Sequence, residues 1–226
     1  MILAVDTTTR YLSSAIADSK GKVILEVNQY EPFMHAERIN IITDFLIKAV
    51  GKQPSDIQYL VISEGPGLFT SLRVSASFAK AVAVVHPHIK VVAISSFRAL
   101  WYPFRGYKVA TLLDAKKKEV FASAFDEEGN EVLSPTIMKP QDLYERLGDR
   151  FLYVGEGAEI YRDIFKNVPP ANPVFPHARH MIALALEKIE KSQFVDIDTF
   201  EPHYLRQPDA VVKKRGSVGG NSKPAS

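Results

Sequence analysis

The sequence predicts a duplicated α/β fold in two lobes, each with a mixed sheet and helices. Two observations carry this reading. The order three strands, helix, strand, helix runs through residues 2–85 and returns after Pro103. Each half also opens with an apolar strand ending in an acid, a polar turn and a second strand, "ILAVD-TTTR-YLSSAIA" and "ATLLD-AKKK-EVFASAF". With 226 residues, 46% of them hydrophobic, the chain has enough apolar mass for a full core.

Taken in order, the short apolar or alternating runs at 2–6, 11–17 and 22–30 read as strands, and "DSKG" turns tightly between the last two. The run 35–50 places Ile39, Ile42, Leu46 and Ala49 on one helical face, widened by Ile41 and Phe45. Strand 57–63, helix 70–85 and strand 90–94 follow. In the second half, strands at 108–114, 119–125 and 131–138 precede a short helix after Pro140. A strand at 151–155, a helix from Ala158 and a longer helix at 178–191 complete the repeat. The expected division is 1–103 for the first lobe, 104–206 for the second and 207–226 for a basic tail.

Composition narrows the function classes. Without cysteine, disulfides, thiolate zinc sites, iron–sulfur clusters and cysteine nucleophiles are excluded, and a reducing cytoplasm fits best. No run approaches the roughly 18 apolar residues of a membrane span, so no membrane partner is expected. Net charge is +2, yet residues 206–226 hold five basic residues and one acid, so the body is slightly acidic. Only the tail has the composition of a polyanion binder, and a solvated tail explains it as well.

Asp6 and Asp114 close equivalent strands, and the arrangement resembles the actin-like (ribonuclease-H-like) superfamily of actin, sugar kinases and chaperone ATPases, whose two hairpins clasp nucleotide phosphates across a cleft. Such a grip needs glycine after the acid so that backbone N–H groups can approach the anion. Here Thr7-Thr8 and Ala115-Lys116 stand there, which argues for ordinary turns, although lysines 116–118 retain some attraction for an anion. Gly65-Pro66-Gly67 precedes a helix but fits neither GxGxxG nor GxxxxGK[ST], and Thr70 is placed to cap that helix. No histidine pair has the i, i+4 spacing of a helical metal site: His86 and His88 flank a proline, His177 and His180 are three apart, and His35 lies two before Glu37. No G-x-S-x-G is present.

The helix at 74–85 carries one charge, Lys80, and is otherwise small or apolar almost all round. A helix lying only on a sheet would keep a polar face. Ser71, Ser75 and Ala79 form a small-residue line along it. That line and the wide apolar face of 35–50 point to a protein partner, or else to two helices that bury each other.

Several strings together resemble the bacterial TsaB (YeaZ-like) family of tRNA threonylcarbamoyladenosine biosynthesis proteins. Asp6-Thr7-Thr8-Thr9 stands for the family's D-T-S-T, His35-Ala36-Glu37 for H-S-E, and Gly65-Pro66-Gly67-Leu68-Phe69-Thr70-Ser71-Leu72-Arg73 for G-P-G-S-F-T-G-L-R. Ala79-Lys80-Ala81-Val82-Ala83 stands for A-K-G-L-A, Ser95-Ser96-Phe97 for S-S-L, Asp114 to Phe121, with Glu119, for D-A-R-x-x-E-V-Y, and Pro202 to Arg206 for P-x-Y-L-R. Leu68, Ser71 and Ala81 depart from the usual Ser, Gly and Gly.

The resemblance implies a degenerate actin-like fold without a metal-binding histidine pair. It implies a subunit that is not itself the catalyst but pairs with the TsaD enzyme through first-lobe helices, while a small ATPase, TsaE, joins. ATP is then used at the level of the complex and no cofactor is intrinsic to this chain. Together such proteins transfer threonylcarbamoyl to N6 of the adenosine beside the anticodon, so tRNA is met indirectly. The expected interface runs over His35, Glu37, Arg38, Ile42, Phe45, Ser71, Leu72, Ser75, Ala79 and Val82, with His35, Glu37 and Arg73 as polar contacts at its edges. Alone, the chain is expected to be able to self-pair as a homodimer. The contrasting expectations are a nucleotide-binding ATPase or phosphotransferase using Asp6 and Asp114 around magnesium, and a metallohydrolase.

Overall fold

A computed structural model describes residues 1–30 and 34–206; the predicted tail at 207–226 lies outside the described residues. The first sheet comprises β1 (Ile2–Asp6), β2 (Tyr11–Ala17), β3 (Val23–Tyr30), β4 (Tyr59–Gly65) and β5 (Lys90–Ser95), in the order β3-β2-β1-β4-β5. β1, β2 and β3 pair antiparallel, while β4 and β5 continue parallel to β1. The second sheet comprises β6 (Val109–Lys116), β7 (Glu119–Phe125), β8 (Glu131–Met138) and β9 (Leu152–Val154), in the order β8-β7-β6-β9. Its pairings repeat the first four strands of the other sheet, antiparallel for β6-β7-β8 and parallel for β6-β9. This is the predicted duplicated α/β fold, two lobes each with a mixed sheet and helices, with strand ends within two residues of expectation.

Alternation along β1 separates the layers. Leu3 and Val5 face α1 (His35–Ala49) and α2 (Phe69–Val85), where Ile39, Ile42, Leu46 and Ala79 complete the core. Ile2 and Ala4 face the opposite way, onto α6 (Ala178–Glu190), through Met181, Ile182 and Ala185. Ala4, Ala15 and Ala17 keep that face shallow, so the helix lies close. In the second lobe α4 (Pro140–Leu147) and α5 (Glu156–Ile160) cover one face of the sheet, with Leu143, Leu147 and Ala158 buried against Leu112 and Ala122.

Two packing relations differ from the sequence reading. A helix that periodicity did not announce, α3 (Ser96–Trp101), sets Phe97, Leu100 and Trp101 against Val109, Leu113 and Phe125 of the second sheet, while its Ala99 belongs to the first core. It joins the lobes. And α6, expected within a second lobe spanning 104–206, returns to cover the first sheet; residues 194–200 follow it, with Val195 donating to the Val91 carbonyl at 2.9 Å. Helix α6 and residues 194–200 therefore pack on the first sheet.

The duplication extends to a loop. β4 ends at Gly65 (φ +99°) and β9 is followed by Gly155 (φ +103°), each the first glycine of a G-x-G that opens a helix. Both lie in the left-handed region where a side chain is strained. No helix among the described residues is long and apolar enough to cross a membrane.

Candidate functional site

Several of the sequence strings converge at one corner, where the β1–β2 hairpin, the Gly65-Pro66-Gly67 loop and the start of α2 meet. Thr7, Thr8 and Thr9 are buried there, and so is Asp6. The Thr8 N–H donates to the Asp6 carboxylate at 3.1 Å and the Thr8 hydroxyl sits 2.9 and 3.0 Å from its two oxygens. Complete burial pushes the Asp6 pKa up to about 7, against the opposing effect of the Thr8 hydrogen bonds.

Next to it, Leu68 N–H donates to the Thr8 carbonyl at 3.2 Å and the Thr7 hydroxyl to the Ser71 carbonyl at 2.7 Å. A Cβ on Gly67 would lie 2.7 Å from Thr8 Cβ and 2.8 Å from its carbonyl oxygen, so only glycine lets the loop close on the hairpin. Ser96 holds the loop from behind, donating to the Pro66 carbonyl at 2.8 Å. The hairpin N–H that an anion would need is thus given to Asp6, and the approach is filled by the Gly65–Gly67 loop. Crowding, expected from the threonine side chains, comes equally from this loop.

Asp114, the counterpart of Asp6, lies beside the exposed side of the β6–β7 hairpin. It accepts from the backbone N–H of Lys116 at 2.8 Å and pairs with that residue's ammonium group. The two acids share a position in the repeat but no open pocket. Glu119 pairs with Arg206, which also donates to the Ala115 carbonyl. The segment bearing Arg206 crosses from one lobe to the other: His203 N–H donates to the Glu64 carbonyl at 2.6 Å, and the Tyr204 ring lies 4.9 Å from that of Phe69. Arg73, exposed on α2, stands over Phe69 at 5.6 Å. Three of the sequence strings are therefore parts of one strap. Among the described residues no three His, Asp or Glu side chains gather as a metal-ligand set.

For the helices, burial corrects the expected interface. Ser71, Leu72, Ser75 and Ala79 face the interior of the first lobe, Ser75 and Ala79 at 0% exposure, and Ile42 is buried as well. The small-residue line lets α2 sit close to its own lobe rather than to a visitor. His35 is buried too: its Nδ1 lies 3.4 Å from the Ser71 hydroxyl, tying α1 to α2, and burial lowers its pKa, which favours the neutral ring. Thr70 does not cap α2. The helix begins one residue earlier, at Phe69, with Leu68 preceding it and no side-chain cap, and Thr70 is exposed. Lys80 is half-buried and reaches the Asp198 carbonyl at 3.5 Å.

What remains outside is a different set. Glu37 and Phe45 are exposed, Arg38 and Val82 half-buried, and Ile41 stands beside Phe45, the pair 58% and 54% exposed. On α2, Val84 and Val85 are 77% and 69% exposed. Between the helices runs a groove of about 490 Å³, lined among others by Ile39, Asn40, Phe69, Arg73, Val74 and Phe78. The signal for Ile41 was its place in the apolar periodicity of α1. Val84 and Val85 gave none, since α2 is too uniformly apolar to reveal which side faces out.

Comparison with known proteins places this geometry. Residues 33–214 match the model of the family described as TsaD: tRNA N6-adenosine threonylcarbamoyltransferase. A tRNA threonylcarbamoyladenosine biosynthesis protein TsaB from Escherichia coli K12 is 25% identical over 230 residues, covering 95% of this chain and 98% of the relative. Its Bacillus subtilis 168 namesake is 23% identical over 227 residues, covering 94% and 96%. The solved structure of YeaZ from Pseudomonas aeruginosa superposes with a TM-score of 0.76 at 24% identity, over 90% of this chain and 99% of that one, and so shares the fold.

Proposed function

The chain belongs to the TsaD family of tRNA N6-adenosine threonylcarbamoyltransferases, and from that premise we propose that it serves tRNA threonylcarbamoyladenosine biosynthesis as a non-catalytic subunit of the TsaB kind. In this reading it pairs with a catalytic TsaD-type subunit in the cytoplasm, and a TsaE-type ATPase joins them. ATP is consumed by that partner, and tRNA is the substrate of the whole assembly. Alone, the same surface allows a homodimer.

One observation supports the reading most. The first lobe leaves large apolar side chains of two neighbouring helices in water, Ile41 and Phe45 on α1 and Val84 and Val85 on α2. Isolated apolar residues on a surface are ordinary, whereas Ile41 and Phe45 stand one helical turn apart on α1 beside the exposed Glu37 and Asn40, an apolar pair of the kind that fits a protein contact. The corner where a related enzyme would hold an anion is meanwhile occupied by Thr8 and the Gly65–Gly67 loop, which suits a subunit that lends surface rather than chemistry.

The test is pairing. Ile41→Glu with Phe45→Glu should weaken association with the TsaD-type subunit by about a hundred-fold or more, because large apolar anchors dominate such interfaces. Threonylcarbamoyladenosine formation in the reconstituted system should fall in parallel while circular dichroism stays unchanged. Undiminished co-purification would sink the proposed surface. Ser75→Glu probes something else: it places an unpaired charge at a fully buried site and should cost about 3 kcal/mol or more of folding stability.

A further inference from the structure

Helices α1 and α2 lie on one face of the first sheet without closing on each other along their whole length. At the end of the sheet away from the Gly65–Gly67 loop they leave a pocket of about 270 Å³. Its floor is Leu3 of β1 and Leu60 of β4. Its walls are Ile47 of α1, Phe78 of α2, and Ile57 and Ile89, which lead into β4 and β5. All of these but Phe78 are at most 7% exposed, so the space is let into the core and does not lie on top of it.

The lining is apolar for a reason that the sequence alone hides. Thr43 also borders the pocket, yet its hydroxyl donates to the Ile39 carbonyl at 2.8 Å, so its polar atom is spent within the helix. The remaining polar side chains stand at the rim: Asn40 and Asp44 are exposed and His86 is half-buried. Asp44 pairs with Lys48 at 2.8 Å and stays an acceptor. Below that rim no lining residue is titratable, so a ligand's charge would find no counterpart there.

An apolar cavity of about 150 Å³ lined by Leu, Ile and Phe stays dry and takes up benzene. This one is larger and opens to solvent between Asn40, Asp44 and His86, which gives a ligand a way in. An apolar lining with a few polar groups at one end is also the usual composition of a small-molecule site.

We infer that the pocket between α1 and α2 binds a small, uncharged aromatic molecule bearing one hydrogen-bond donor. Its ring lies among Leu3, Ile47, Leu60 and Ile89, with Phe78 as an aromatic neighbour. Its N–H or O–H meets Asn40 or Asp44 at the rim. The pocket shares only Asn40 and Phe78 with the larger groove beside Arg73, so the inference does not rest on the proposed pairing with another subunit.

The test uses the full chain alone, with indole as the probe and indene, which has the same fused rings but no N–H, beside it. Titration is followed by methyl-resolved NMR and by thermal melting. Indole should bind with a dissociation constant on the order of 1 mM or below. At ten times that concentration the melting temperature should rise by about 3–5 °C. Shifts caused by the ring should concentrate on the methyl groups of Ile47, Ile57, Leu60 and Ile89. Asn40→Ala with Asp44→Ala should weaken indole several-fold and leave indene unchanged. Val82, half-buried on α2, borders the same space, and Val82→Phe should cut the affinity for indole by about ten-fold or more. The methyl shifts locate the ligand in the parent chain, so they decide the question even where the filled variant folds poorly. No binding at about 10 mM indole overturns the site. So do shifts that fall on Ile39 and Val74 of the groove or on the exposed Ile41, Val84 and Val85, and so does undiminished binding by a folded Val82→Phe. Equal weakening of indole and indene in the rim variant would overturn the part given to the donor.

Discussion

The β1–β2 and β6–β7 connections occupy the same place in the two lobes and meet opposite environments. Thr7, Thr8 and Thr9 are at most 2% exposed, roofed by the Gly65–Gly67 loop and the first turn of α2, whereas Lys116, Lys117 and Lys118 all lie in water. The loops that follow β4 and β9 are counterparts, G-P-G and G-E-G, and each presses a glycine against its own sheet: Gly67 on Thr8, Gly157 on Leu112. The helices after them differ, 17 residues in α2 against five in α5. The Gly65–Gly67 loop and the first turn of α2 close the first hairpin into the core, whereas Lys116–Lys118 of the second stay exposed. The strands and glycines are thus common to both lobes, and the contacts made by the loop and first turn of α2 distinguish the interior hairpin from the surface one.

The largest way to break this contrast is through Asp6, which has an interior environment that Asp114 lacks. Its folded-state pKa of about 7 exceeds the ordinary 3.8, so folding favours the protonated carboxyl. The stabilising contribution is complete below about pH 4 and is lost as pH rises through 7, amounting to about 4 kcal/mol at most. Asp6→Asn should therefore flatten the fall in unfolding free energy between pH 4 and 8, measured by denaturant titration. An equal slope in the parent and the Asp6 variant would show that the hairpin is wetter than its packing implies.

A smaller effect separates the two glycine loops. Gly67→Ala drives a Cβ into Thr8 backbone, which cannot yield locally, and should cost about 3 kcal/mol. In Gly157→Ala the nearest atoms, Leu112 Cβ at 2.9 Å and Val120 Cγ1 at 3.0 Å, lie farther off than those at Gly67, so the cost should be lower, about 1–2 kcal/mol. Reversal of that order in thermal melts would mean that the second loop, not the first, is the tighter closure.

Much of the fold was legible because the strands are short apolar runs with polar turns and α1 repeats at helical spacing. The parts that were not legible share a physical cause: periodicity gives a face but not its neighbour. The apolar stripe of α6 was plain, yet nothing in it distinguishes the first sheet from the second. α3 is six residues long, too short to show a period. On α2 the near absence of polar residues hid its orientation, so Ser75 and Ala79 suggested an outer seam where burial makes them an inner one. The motif strings were visible, but the contacts joining them, Gly67 with Thr8 and Arg206 with Glu119, cross long stretches of chain that no local pattern encodes.

The smallest effect concerns how each hairpin is held. The first is fastened by packing on several sides, while the second depends on the strap that ends in Arg206. With Arg206 and Glu119 side chains 24% and 33% exposed, solvent weakens their pairing, and Arg206→Ala should lower global stability by only about 1 kcal/mol. Its local consequence should be larger than its global one. Loss of the guanidinium removes the bond to the Ala115 carbonyl as well, so amide exchange should accelerate at residues 114–120 and stay unchanged at 6–9. Equal acceleration at both hairpins would mean that the strap holds the lobes together as a whole, and that the second hairpin owes its position to the sheet and not to Arg206.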